Sequence, residues 1–378
     1  MSMAQGLDAT AAWTLSIDDI ERIATGATLL GAGGGGDPYI SLLAARQMYE
    51  AGGRKATVIS LDQLADDALV LCVAGFGAPT VMKERLFEPA HVLHALRALE
   101  THIGQKADAL IAAEMGGGNA LYPVLAAAEC GLPIVDGDGM GRAFPELQMT
   151  SFSIGGVAAA PFAMTDEHLN TVICNAKPDK RAEAFARITC MEMGLSSSLA
   201  AYPMTGEAAK RVVIRDTMTL SLKLGQIISA ARQAASPIDH LVNAIRTEAP
   251  TSEAVRLFDG KVVDVYRSTE RGFAVGWFEL APVSSNGSGA RIEFQNEYLA
   301  LTVDQRPRAL APDLICVVDA ETAEPVPTPD VRFGQRLSVL GLACDQTFKT
   351  EHALSVVGPR AFGLHYDYKP LAELSRAK

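Results

Sequence analysis

Hydrophobic residues in the first part of the chain alternate between helical spacing and short continuous runs. Apolar side chains recur at helical spacing from residue 17 to residue 30, and Ser16 and Asp19 have the spacing of a capping box at the start of this predicted helix. A second helix is predicted from Pro38 to the glycines at 52 and 53. Short apolar runs predict strands at 57–61, 69–74, 109–113 and 133–135, with helices at 81–104 and 120–130.

The pattern changes after residue 150 and becomes β-rich after Pro250. Residues 154–164 are small and apolar, and helices are predicted at 180–193 and 205–235. We interpret 257–262 as a hairpin with an Asp259-Gly260 turn. Further strands are predicted at 273–280, 291–303, 314–318 and 336–342, and proline-containing loops at 304–313 and 324–330.

These patterns predict two domains of different class. Continuous apolar strands separated by helices are typical of a parallel sheet covered on both faces. We therefore expect an α/β N-terminal domain with a mainly parallel sheet, over residues 1–165. A C-terminal α+β domain, helical at first and then rich in antiparallel strands, is expected over residues 166–378.

The charge and cysteine content narrow the class of partner. The 378 residues carry a formal net charge of -11, which argues against nucleic acid or an anionic membrane surface as the main partner. The six cysteines form no CxxC pair, which favours free thiols in a reducing compartment. Residues 1–13 lack the pattern of a signal peptide, and no apolar run has the length of a membrane span, so we expect a cytoplasmic protein.

Glycine-rich segments fall where the predicted strands end. Four consecutive glycines, from Gly33 to Gly36, precede Asp37, and a backbone without Cβ atoms can approach a ligand closely. Parallel strands end at one edge of a sheet, where ligands of such folds bind, so the segments 75–79, 114–119 and 136–146 should meet the glycine run there. The candidate catalytic residues are Glu114, Asp138 and Arg142. The candidate substrate-binding residues are Gly33, Gly34, Gly35, Gly36, Asp37, Gly77, Gly117, Asn119, Asp136 and Glu146.

Crowded carboxylates at this edge have two chemical uses. They raise one another's pKa and can act as general base or acid, or they can hold a divalent metal, whose identity the sequence leaves unknown. Arg142 could neutralise them or bind a carboxylate, and Asn119 can both donate and accept hydrogen bonds. Structural roles are open as well, because Asp136 and Asp138 are good turn formers and Arg142 and Glu146 have the spacing of a helical ion pair.

Residues 31–36 also fit the dinucleotide fingerprint GxGxxG, with Asp62 placed for a ribose contact. Any run of glycines meets that spacing, and the residues before it have a helical pattern where the fingerprint needs a strand. The phosphate-loop motif is absent, as are HExxH and the GxSxG nucleophile elbow.

The motif from Gly33 to Pro38, the segment from Glu114 to Asn119 and the segment from Asp138 to Met149 resemble the S-methyl-thiohydantoin desulfurase-like family. The segments 312–319, 332–335 and 358–363 resemble its C-terminal domain, so the resemblance covers nearly the whole chain. It implies an association with hydantoinase and oxoprolinase systems. The activity that it implies removes sulfur from a thiohydantoin ring and leaves a hydantoin.

Three functions follow from these observations. The first is a hydrolase-like enzyme that acts on a small cyclic imide or thio-imide, with water activated by Glu114 or Asp138. The second is a non-catalytic accessory subunit of a hydantoinase or oxoprolinase-type complex. The third is a nucleotide-binding enzyme that uses the glycines at 33–36 as an anion cradle. For the first we expect a small-molecule substrate and a homo-oligomer.

Overall fold

The computed structural model describes residues 12–78, 81, 84, 85, 88–249, 253–283 and 288–376. Its N-terminal part alternates strands and helices up to residue 205. The strands are β1 (Trp13–Thr14), β2 (Thr57–Ile59), β3 (Leu69–Gly77), β4 (Ala109–Ala112), β5 (Ile134–Val135), β6 (Gly137–Asp138), β7 (Phe162–Thr165), β8 (Thr171–Cys174) and β9 (Ser196–Thr205). The helices are α1 (Ile17–Leu30), α2 (Tyr39–Glu50), α3 (Pro89–Ile103), α4 (Tyr122–Cys130), α5 (Ser151–Ile154) and α6 (Asp179–Glu192).

Eight of these strands form one sheet in the order β1-β2-β5-β4-β3-β9-β7-β8. The neighbours β2, β5, β4 and β3 run parallel, and the remaining pairs are antiparallel. Strand β3 is buried on both faces: Leu71 and Val73 belong to one apolar core, and Val70 and Cys72 to another. The predicted α/β sheet with parallel strands is therefore confirmed.

Helix α1 begins as the sequence predicts. The backbone N–H of Asp19 donates to Ser16 Oγ over 3.1 Å, and the N–H of Ser16 donates back to the Asp19 carboxylate over 2.9 Å. This capping box satisfies N–H groups that the first helical turn leaves unpaired. A helix therefore leads into the glycine run, where the dinucleotide fingerprint requires a strand.

The C-terminal part begins with helices and ends in a second sheet. Its helices are α7 (Gly206–Val212), α8 (Thr217–Ala231), α9 (Pro237–Glu248), α10 (Glu351–Val357) and α11 (Leu371–Leu374). Its strands are β10 (Ile214–Arg215), β11 (Ala254–Glu270), β12 (Phe273–Pro282), β13 (Ala290–Gln295), β14 (Glu297–Val303), β15 (Arg306–Leu310), β16 (Leu314–Asp319) and β17 (Arg336–Leu342).

Seven of these strands form an antiparallel sheet in the order β15-β14-β13-β12-β11-β17-β16. The short strand β10 pairs instead with β6 of the N-terminal part. Helices α1 and α8 pack closely, because Gly26 and Gly225 let each helix approach the other's backbone. The antiparallel C-terminal domain is as predicted, while the domain boundary at 165 remains a prediction.

Several local predictions are wrong. Residues 257–262 form no hairpin, because Asp259 and Gly260 lie within the continuous strand β11, where Gly260 makes room for the carbonyl of Ala281. The predicted helix 205–235 is divided into α7, β10 and α8 at Asp216, which has φ +61°. The predicted strand 291–303 turns at Asn296, which has φ +59°, and the predicted loop 304–313 contains β15.

Part of one predicted helix lies outside the described residues. Pro79 and residues 82, 83, 86 and 87 of the predicted helix 81–104 lie outside the described residues, and the helix there is Pro89–Ile103. Within the described ranges, no helix is both long and apolar enough to cross a membrane.

Candidate active site

A cavity of about 70 Å³ lies at the carboxyl ends of β3 and β4. That volume gives room for roughly five water-sized positions. The lining comes from both sheets, because Asn296 and Glu297 of the C-terminal sheet close one side of it. The predicted site residues among the lining are Gly35, Gly36, Gly77, Glu114, Asn119 and Glu146.

The four glycines make different contacts. Gly33 has φ +96° and lies against Tyr298 and Thr328, and a Cβ at Gly34 would overlap the carboxyl of Glu297. Gly35 has φ +77° and lies against the backbone of Gly116. Gly36 has φ +81°, yet a Cβ there would meet no atom within 4 Å, so it faces open space. Glycine is therefore required by packing at three positions and by backbone conformation at the fourth.

The glycine run is held by the segment that follows β4. The N–H groups of Gly118 and Asn119 donate to the carbonyls of Gly36 and Gly35 over 2.9 and 3.2 Å. Gly117 has φ +54° and a Cβ there would overlap the carbonyl of Gly36, which explains the second glycine cluster. The two glycine segments thus form one continuous wall of backbone.

Glu114, two residues before the second glycine cluster, is one of the cavity-lining residues with a carboxyl group. Glu114 is only 5% exposed. Its Oε1 accepts a hydrogen bond from Asn119 Nδ2 over 2.5 Å, and its Oε2 accepts one from the N–H of Phe144 over 3.2 Å. Burial raises the pKa of Glu114 to about 8, although both hydrogen bonds oppose that rise. A carboxyl with this pKa can exchange a proton near neutral pH.

Asp138 does not line the cavity, but its side chain forms hydrogen bonds with the backbone near it. Its carboxylate accepts the N–H of Met115 over 2.5 Å and the N–H of Gly141 over 2.9 and 3.0 Å. It is fully buried, and burial raises its pKa to about 7. Because Met115 follows Glu114 directly, Asp138 fixes the main chain that presents the Glu114 carboxyl.

Arg142 is fully buried and does not line the cavity. Its guanidinium donates to the carbonyls of Ala143, Pro312, Asp313 and Tyr298 over 2.9 to 3.2 Å. It makes no ion pair with Glu146 in the described structure, and the segment between them is not helical. Arg142 therefore joins the loop after β6 to the C-terminal sheet.

Other predicted site residues have structural positions. The Asp136 carboxylate accepts the N–H groups of Met218 and Thr219 over 2.9 and 3.2 Å at the start of α8. The Asp37 carboxylate accepts the N–H of Tyr39 over 2.9 Å at the start of α2. Neither residue lines the cavity. Glu146 does line it and accepts a hydrogen bond from the Gln148 side chain.

Sequence reasoning missed Arg187, a cation that lines the cavity. Its guanidinium carbon lies 4.3 Å from the ring centroids of both Phe76 and Phe273. It donates to Glu183 over 2.7 Å and to the carbonyl of Pro145 over 2.9 Å. Because Glu183 neutralises its charge locally, Arg187 leaves little unpaired positive charge for an anionic ligand.

Glu297 was missed as well. It is 2% exposed, lines the cavity, and Oε2 has no hydrogen-bond partner among the described residues. An unsatisfied buried acceptor costs about 1–3 kcal/mol, so this atom requires an explanation. The sequence signal is the polar run Gln295-Asn296-Glu297 inside an otherwise apolar strand pattern.

The described residues contain no group of three or more His, Cys, Asp or Glu side chains arranged to hold a metal ion. Three residues with carboxyl groups do line the cavity: Glu114, Glu146 and Glu297. Burial raises the pKa values of two of these carboxyl groups, those of Glu114 and Glu297.

Comparisons with known proteins agree with this architecture. Residues 18–176 match the family described as S-Me-THD-like, N-terminal domain, and residues 177–371 match S-Me-THD-like, C-terminal domain. A crystal structure of a protein from Chromobacterium violaceum is 24% identical and superposes with a TM-score of 0.78 over 95% of this chain and 100% of that one, which shows a shared fold. Among curated proteins, none matches the chain. Matches over both halves of the chain place this protein in the S-methyl-thiohydantoin desulfurase-like family.

Proposed function

We propose that this protein is an enzyme that hydrolyses the carbon–sulfur bond of a small S-methylated thiohydantoin ring, with Glu114 as the group that activates water. The family membership supports a thiohydantoin-related role. The observation that supports the catalytic part most strongly is the buried Glu114 carboxyl, which lies in the cavity with a pKa of about 8.

The reaction is a balanced hydrolysis. The oxygen of water bonds to the ring carbon that carries sulfur, the carbon–sulfur bond breaks, and a carbonyl forms. One proton of the water ends on the ring nitrogen and the other on the sulfur, which leaves as methanethiol. No electrons are gained or lost, so the step needs no redox partner.

The ionised form of Glu114 takes the proton from the attacking water. Asn119 and the N–H of Phe144 hydrogen-bond the carboxyl and fix its orientation. The backbone N–H groups of Gly35 and Gly36, at the cavity wall, stabilise negative charge that develops on the ring. Asp138 and Arg142 act as positioning residues, since their contacts are with the backbone around the cavity.

The cavity favours a neutral ring over a phosphate. In the catalytic form the ionised Glu114 carboxylate repels anions, and the nearby cation Arg187 is already bonded to Glu183. The glycine run follows a helix, so the dinucleotide fingerprint lacks its structural context and receives no support.

Turnover is tested with purified protein and an S-methyl-thiohydantoin, by measuring methanethiol with a thiol-reactive chromophore. We expect turnover by the wild type and a loss of at least about 100-fold in kcat for Glu114→Gln, as for other general bases. Glu50→Gln, an exposed carboxyl at the end of α2, is the matched control. An accessory subunit would be inactive alone and would gain turnover only with a hydantoinase-type partner.

A further inference from the structure

The second carboxyl of the cavity comes from the other half of the chain. Glu297 is the first residue of β14 and follows the turn at Asn296. Its side chain is buried, the residue lines the cavity, and its Oε2 has no hydrogen-bond partner in the described structure. A buried, unpaired polar atom on a residue that lines a cavity marks that residue as a candidate for contact with a ligand or water.

The Glu297 carboxyl is fixed in place by the glycine run. Its Oε1 lies against Gly34, where any side chain would overlap it. Gly34 has no positive φ, so backbone conformation does not explain the glycine. The absence of a side chain at residue 34 therefore serves to admit the carboxyl of Glu297.

We propose that Glu297 is the second proton-transfer group of the site and donates the proton that the departing sulfur takes. The inference rests on the proposed function, because it assigns a role within the same hydrolysis. It also makes the active site a product of both domains, with the base from the N-terminal segment and the acid from the C-terminal sheet.

The surroundings favour one shared proton between the two carboxyls. Burial and, after it, the charge of Glu114 raise the pKa of Glu297, while the charges of Arg142 and Arg187 lower it. Glu146 lines the same cavity. Two carboxyls in one buried site do not both ionise readily, so ionisation of Glu114 leaves Glu297 protonated.

With Glu114 and Glu297 acting together, the protons taken up and released in the reaction balance. Water attacks while Glu114 takes one proton and passes it to the ring nitrogen. As the carbon–oxygen double bond forms, the remaining hydroxyl proton moves to Glu114, the carbon–sulfur bond breaks, and Glu297 protonates the sulfur. The pair holds one proton before and after the reaction, and a second turnover begins when that proton returns to Glu297.

The test compares Glu297→Gln and Glu297→Asp with wild type and with Glu50→Gln. The readouts are the pH profile of kcat/KM for an S-methyl-thiohydantoin and buffer-dependent calorimetry with hydantoin as the ligand. We expect a bell-shaped profile for wild type and for Glu297→Asp. For Glu297→Gln we expect kcat to fall at least about 100-fold with KM changed less than about threefold, and the alkaline limb to be lost.

Calorimetry gives a reading that does not depend on turnover. Hydantoin binding above pH 8 should be coupled to proton uptake in wild type, and this uptake should be absent in Glu297→Gln. If the wild type turns over the substrate and Glu297→Gln keeps the same kcat and the same proton uptake, the role proposed for Glu297 is wrong. The proposed function would then still stand. A wild type that neither turns over the substrate nor binds hydantoin would overturn the proposed function and this inference together.

Discussion

Asn119 bridges two strand ends through one side chain: its Nδ2 donates to Glu114 Oε1 over 2.5 Å, while its Oδ1 accepts the N–H of Gly75 over 2.7 Å. The amide is thereby fixed in one orientation, with its donor directed at the carboxyl. It stabilises the ionised form of Glu114 and opposes the effect of burial on the pKa.

Replacement of Asn119 by alanine should raise the pKa of Glu114 further. The acidic limb of the kcat/KM profile should move to higher pH by about one unit, which corresponds to a roughly tenfold lower rate at pH 7. Asn243→Ala, on the exposed face of α9, is the control. A profile that keeps its acidic limb in Asn119→Ala would show that this hydrogen bond does not tune the titrating group.

Gly34 and Gly52 provide a matched pair of substitutions. Gly34→Ala places a methyl group on the Glu297 carboxyl and should reduce kcat strongly, because the carboxyl is displaced. Gly52, outside the cavity, meets no neighbour within 4 Å but has φ +78°, so Gly52→Ala should cost about 1–2 kcal/mol of stability and affect kcat less. Steady-state kinetics and urea unfolding of both variants check this. Equal kinetic losses would argue against a specific role for the Gly34–Glu297 contact.

Arg142 is predicted to act on stability. Arg142→Met leaves the carbonyls of Ala143, Tyr298, Pro312 and Asp313 without their buried donor, and the free energy of unfolding should fall by about 3 kcal/mol or more. Denaturant unfolding at pH 7 measures it. Unchanged stability with lost turnover would instead indicate a catalytic role for the guanidinium.

The pH dependence of stability tests the buried carboxyls. A carboxyl whose pKa is raised by folding contributes stability that is fully present below its unfolded pKa and is lost as the pH rises through its folded pKa. For Glu114 this loss of stability extends from about pH 4.5 to about pH 8. For Glu297 the loss also begins at about pH 4.5. The wild-type free energy of unfolding should therefore fall across this range.

Glu297→Gln should remove part of that fall, because an amide does not ionise. The variant should become more stable relative to wild type as the pH rises, by about 1.4 kcal/mol for each unit by which folding raises the pKa of Glu297. Unfolding curves from pH 5 to pH 9 give the comparison. Parallel pH dependences for the two proteins would mean that Glu297 has no raised pKa.

The sequence predicted best where local pattern decides structure. The α1 capping box depends on residues three apart, and the parallel strands depend on continuous apolar runs. Glu114 and the glycine segments could be placed at one edge because strand direction is a consequence of the alternating pattern.

Contacts between distant segments of the chain were beyond the reach of sequence pattern. Glu297 reaches the cavity only because the C-terminal sheet packs against the N-terminal loops. Arg142 donates a hydrogen bond to the carbonyl of Pro312, which lies 170 residues further along the chain. Asp259-Gly260 has the composition of a turn, yet neighbouring strands on both sides hold it extended.

The most direct test is methanethiol release from an S-methyl-thiohydantoin by wild type, Glu114→Gln and Glu50→Gln at pH 8. We expect turnover by wild type and Glu50→Gln and a loss of at least about 100-fold in kcat for Glu114→Gln. Equal turnover by Glu114→Gln and wild type would contradict it.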